Sequence, residues 1–98
     1  MDLRIMNLGA GVKRVLNNDY VSYRLDASFA DLQFQKNRMQ IWLNMRFGEL
    51  GDPKRLCKDV SGRGHLGNGD VQLFYDGKTP LDDVMALVGQ ACRLQERE

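Results

Sequence analysis

The sequence predicts an α+β domain: a four-stranded antiparallel sheet, a C-terminal helix on one of its faces, and a short N-terminal helix beside that helix. Three observations carry this. Residues 20–45 alternate apolar and polar side chains, the period of a half-buried strand. Residues 79–92 switch to helical spacing behind a helix-start signature. Turn-forming residues separate the alternating runs. A length of 98 residues with 43% apolar and 28% charged side chains suits a single domain, 1–98, with a core of its own.

The elements follow in order. Asp2–Leu8 reads as a short helix stopped by Gly9 or Gly11, with Leu3, Met6 and Ala10 on one face. A helix this short needs packing to hold in water. Tyr20–Leu25 is a first strand, aromatic and β-branched. Asp26-Ala27-Ser28 turns the chain into Phe29–Gln35, where Ala30, Leu32 and Phe34 share a face opposite Asp31, Gln33 and Gln35. Lys36-Asn37 makes a tight turn into Arg38–Met45, whose Met39, Ile41, Leu43 and Met45 align.

A loop runs from Phe47 to Pro53. Pro53 then opens one helical turn through Lys54–Lys58, capped by Asp52. The glycine-rich stretch Ser61–Asp70 leads to a fourth strand, Val71–Tyr75. Thr79 at the N-cap, Pro80 at the first helical position and Asp82-Asp83 in the first turn start the last helix. Leu81, Val84, Met85, Val88 and Cys92 form its apolar stripe.

Several function classes lose support at this stage. No stretch approaches the run of about 20 apolar residues a membrane helix needs, so no membrane partner is expected. Cys57 and Cys92 are too few for the disulfide framework of a small secreted domain, and the expectation is a cytoplasmic chain with reduced thiols. Lys54, Arg55 and Lys58 lie near Cys57, a setting that lowers a thiol pKa, although burial as a small hydrophobe is the commoner fate. Metal-ligand spacings such as C-x-x-C or H-x-x-x-H are missing, so no metal is expected. Gly62-Arg63-Gly64-His65-Leu66-Gly67 has the letters of a dinucleotide loop. It precedes a strand instead of opening a helix, so no nicotinamide or flavin cofactor is expected.

Candidate contacts remain. The net charge is +1, but it divides unevenly. Residues 1–35 balance, residues 36–63 carry seven bases against three acids, and residues 64–98 carry three against six. Within the basic segment Lys54, Arg55 and Lys58 suit phosphate, and Arg63, His65 and Asn68 supply polar contacts in a loop whose backbone N–H groups can cradle an anion. Solvated surface charge is the plainer reading. Trp42 points away from the face of Ile41 and Leu43. Beside Gln40 and Asn44 it suits base stacking or a partner surface, or else the N-terminal helix covers it. An enzyme using His65 with Asp70 as its partner ranks last, because no nucleophile pattern accompanies them.

The stretches Leu43–Pro53, Lys58–Ser61, Gly64–Asp70 and Leu81–Met85 resemble a bacterial and archaeal domain of unknown function labelled "predicted transport protein". Its members read like LNLKxGELDDP, then DVSNxGHWGNGDxE, then an LDYVM helix. Tyr20–Arg24 and Phe29–Gln33 fit the same pattern, so the resemblance covers nearly the whole chain. Members often sit behind restriction-type nuclease domains. The resemblance therefore implies a non-enzymatic accessory role in nucleic-acid metabolism or defence, with nucleic acid or a nuclease as partner. A homodimer through the sheet face around Trp42 is the alternative. This chain departs from the pattern at Leu66, where the family has Trp, at Gly51, where it has Asp, and at Arg63.

Overall fold

The computed structural model describes residues 1–62 and 69–96. Helix α1 spans Asp2–Met6 and helix α2 spans Leu81–Glu96. The strands are β1 Lys13–Leu16, β2 Val21–Arg24, β3 Ser28–Phe34, β4 Met39–Leu43, β5 Lys58–Asp59 and β6 Val71–Tyr75. They form one antiparallel sheet in the order β1-β2-β3-β4-β6-β5. The expected α+β class and C-terminal helix stand, but the expectation of four strands is corrected to six.

The two added strands are edges. All four residues of β1 are exposed, so the alternation that betrays a half-buried strand is absent there. Strand β1 is held instead by a tight turn, in which the Asn17 N–H donates to the Tyr20 carbonyl at 2.9 Å. Strand β5 is too short to show a period. It replaces the end of the expected helical turn over Lys54–Lys58. No helix forms for Asp52 to cap; its carboxylate holds the loop instead, accepting from the Leu56 and Cys57 N–H groups at 3.0 and 2.9 Å. Arg55 takes a positive φ of 54°, which ends any helical path.

One face of the sheet carries the core. Register places Tyr23, Ala30, Leu43 and Val71 in one row and Val21, Leu32, Ile41 and Leu73 in the next. Helix α2 lays Val84, Met85, Leu87, Val88, Ala91 and Cys92 against them, all buried. Helix α1 contributes Ile5, which is fully buried, while Leu3 is 71% exposed. The expected inward face of α1 is therefore wrong by register: Ile5 turns inward and Leu3 outward.

Two glutamines of α2 fasten loops to the helix. The Gln90 amide donates to the Gly51 carbonyl at 2.7 Å and accepts from the Gly51 N–H at 2.8 Å. One and a half turns on, Gln95 accepts from the Ala27 N–H at 3.3 Å and donates to the Ser28 carbonyl at 2.9 Å. Each side chain thus satisfies a backbone donor and acceptor as a neighbouring strand would. At the start of β6, a Cβ on Gly69 would overlap the Leu43 carbonyl, so the chain passes β4 at a distance only glycine permits.

Candidate functional site

Of the residues expected to bind, Lys54, Arg55, Lys58 and Trp42 are described, and they lie on different elements. Arg63, His65 and Asn68 lie outside the described residues. Asp70 begins the approach to β6, where its carbonyl accepts from the Val60 N–H at 2.8 Å. Lys54 is paired with Asp83 of α2 at 2.6 Å. Arg55 lies beside Phe47, Leu50 and Cys57 on a loop wall. Lys58 sits on the edge strand β5, opposite Gln72. The thiol of Cys57 is half-buried, and burial, reinforced by the Asp52 carboxylate, pushes its pKa up to about 12. The nearby cations do not reverse that effect.

Trp42 faces away from the core, as parity requires, but it is only 2% exposed. It stands in a row across the second sheet face with Ser22, Asp31, Gln72 and Lys58. Helix α1 is on the opposite face with Ile5 in the core, so it does not provide this burial. Trp42 Nε1 is buried without a hydrogen-bond partner among the described residues. Beside it, Asp31 is 1% exposed and accepts from the Ser22 and Ser28 hydroxyls at 2.6 and 2.8 Å. Asn17 donates in turn to the Ser22 hydroxyl at 3.3 Å, so one polar chain ties the β1–β2 turn to β3. The buried indole offers no flat surface to a ligand without rearrangement. The sequence signal for Asp31 was its parity; its burial follows from strands on both sides and could not be read locally.

A different cluster is exposed, at the β3–β4 hairpin end. Phe34, Met39 and Tyr75 form the last row of the helix-covered face. Helix α2 runs toward Ser28, at the other end of β3, and Phe34 is left 70% exposed. On the opposite face the Arg38 guanidinium stacks 3.8 Å from the centre of the Phe74 ring. Arg38 Nε donates to Gln35 Oε1 at 2.9 Å, and Gln35 Nε2 donates to Gln40 Oε1 at 2.9 Å, which holds the guanidinium in place. An open groove of about 330 Å³ runs along Phe34, Asn37, Arg38, Met39 and Tyr75 to the turn at Asp76-Gly77. Gly77 adopts a φ of +88°, which that turn requires.

The charge at this end is basic. Arg38 and Asp76 line the groove, and Lys36 and Lys78 are chain neighbours of its lining residues. The ion pairs among the described residues use Arg4, Arg14 and Lys54, and none of these three cations. Phe34 escaped sequence reasoning because its parity placed it with the core. The signal that could have found it was the adjacency of Phe34 to Lys36 and Arg38, an aromatic interleaved with bases.

Among the described residues no group of three or more His, Cys, Asp or Glu could hold a metal ion. No helix among the described residues is long and apolar enough to cross a membrane. No family model matches the chain. A protein of Haemophilus influenzae, described only as an uncharacterised protein, is 36% identical over 89 residues, which are 91% of this chain. That description carries neither the transport label nor the nuclease association implied by the resemblance. The chain spans about 30% of the length of this curated relative, so what it resembles is one portion of a longer protein.

Proposed function

We propose that the chain is a non-enzymatic accessory module that binds single-stranded nucleic acid at the β3–β4 hairpin end. The observation that carries the reading is the exposed Phe34 at a groove bordered by Arg38. A base has a π-face to lay on Phe34 or Tyr75, and Lys36, Arg38 and Lys78 suit the adjoining phosphates. The side-chain amides of Gln35 and Asn37 are hydrogen-bonding groups of the kind that meet base edges. The near-neutral total charge agrees with a local contact of modest affinity in place of broad nonspecific attraction. The accessory role is supported by the Haemophilus relative, in which the matching portion accompanies a larger remainder of chain.

The test is titration of a labelled oligothymidine at two salt concentrations. Three phosphate contacts give a slope of about −2 in log K against log salt, or roughly a twentyfold loss between about 50 and 200 mM. Phe34→Ala should weaken binding by about fivefold or more, the loss of one stacked base. Failure to bind at low salt, or equal binding by Phe34→Ala and Arg38→Ala, refutes the reading.

A further inference from the structure

We infer that strand β1 is a self-association edge, on which a second copy of this chain adds its own β1 antiparallel about a two-fold axis at Val15. This goes beyond the proposed function and uses none of the hairpin-end residues. Strand β1 ends the sheet and all its residues are exposed, with apolar Val15 at 39% and Leu16 at 75%. Strand β1 is short and carries Lys13 and Arg14, which limit pairing with arbitrary edges, but no bulge or proline blocks its ladder, so a partner must match its charge pattern.

The ladder fixes which groups are free. Antiparallel pairs alternate between hydrogen-bonded and non-bonded. The bond from the Asn17 N–H to the Tyr20 carbonyl makes that pair a bonded one. Two residues back, Val15 and Ser22 are bonded, and Lys13 and Arg24 after them. Arg14 and Leu16 therefore turn their N–H and carbonyl groups to the outer side.

A second β1 can satisfy those groups in a register that pairs Arg14 with Leu16 of the other copy, and Leu16 with Arg14. The arrangement adds about four main-chain hydrogen bonds and sets Val15 against Val15. It is also the register that charge favours. Pairing Arg14 with Arg14 would oppose like charges, whereas here each Arg14 meets a leucine. Lys13 falls opposite the other copy's Asn17, so the basic start of each strand approaches the turn that carries Asp19. The strand is basic at one end and acidic just past the other, which is the complementarity an antiparallel two-fold pair needs.

Sedimentation over a concentration series tests the inference. The wild-type chain should pass from monomer to dimer as concentration rises to the millimolar range. Val15→Lys sets two ammonium groups against each other at the axis and should weaken association by about tenfold or more. Val15→Glu should do the same alone, and an equimolar mixture of the two variants should restore a dimer. Leu16→Pro removes an outward N–H and no bond to β2, so it should give a folded monomer, checked by its circular dichroism. A wild type that stays monomeric throughout, a Val15→Lys chain that dimerises like wild type, or a mixture that stays monomeric overturns the proposal.

Discussion

Replacing Gln90 with alanine tests how loop 50–57 is held to helix α2. The side chain makes two hydrogen bonds, 2.8 Å from the Gly51 N–H and 2.7 Å to the Gly51 carbonyl. A hydrogen bond contributes about 0.5–1.5 kcal/mol net, and both of these are exposed, so each takes the lower part of that range. Water rehydrates the freed Gly51 groups, and alanine favours the helix over glutamine by a few tenths of a kcal/mol. The net loss is then about 1 kcal/mol, or roughly 4–8 °C in Tm for a domain of this size. Urea unfolding followed by circular dichroism reads it. Gln90→Glu sharpens the test. The carboxylate keeps an acceptor for the Gly51 N–H but faces the Gly51 carbonyl with no donor. It should cost at least as much as alanine near neutral pH and recover, relative to wild type, once the carboxyl is protonated near pH 4. A loss below about 0.3 kcal/mol for Gln90→Ala, with Gln90→Glu insensitive to pH, would show that the two bonds hold nothing.

Acid should weaken the tie between α1 and strands β1 and β2. The Tyr23 hydroxyl, 2.6 Å from Asp2, and then the Arg14 guanidinium at 2.7 Å hold the Asp2 carboxyl below its ordinary pKa. A depressed carboxyl stabilises the fold above its unfolded pKa and ceases to as pH falls through the folded value. The stability gap between wild type and Asp2→Asn should therefore be full near neutral pH and close below about pH 4; a gap that does not change with pH refutes it. Gly69→Ala should cost about 3 kcal/mol, because the new methyl would overlap the Leu43 carbonyl and lie 2.8 Å from the Asn44 nitrogen, backbone atoms that cannot swing aside. A measured loss in urea below about 1 kcal/mol would mean that β6 can slide away from β4 at little cost.

How much of this was legible depended on whether an element's signal was local. Helix α2 was readable from its first-turn acids and its stripe, although it begins at Leu81, one residue later than the expected Thr79 cap and Pro80 start imply, and Leu87 and Ala91 widen its buried face. The β2–β3–β4 meander and β6 were readable by alternation, and the Lys36-Asn37 turn closes as expected with the Gln35 N–H on the Arg38 carbonyl at 2.8 Å. Strand β1 was not, because exposure on both faces erases the period; the Asn17–Tyr20 turn chemistry was the signal available. Parity placed Trp42 and Phe34 on the correct faces but misjudged what each face meets. Trp42 lies mid-sheet and is buried, while Phe34 lies at the end that α2 leaves exposed. Parity reports direction, and burial depends on partners distant in sequence.

The strand order has a kinetic consequence. Strands β1 to β4 each pair with the strand beside them in sequence, so their contacts close short loops. Strand β6 pairs with β4 across the long stretch of sequence between Leu43 and Val71, in which β5 falls. Until it arrives, β4 is itself an open edge with Ile41 and Leu43 uncovered on that side. The meander closes through short loops, whereas pairing by β6 and docking of α2 on β3 are the long-range steps, the kind of contact that slows folding. A nascent chain therefore has its most adhesive moment between the emergence of β4 and the docking of β6, when the stickiest edge is one the finished fold hides.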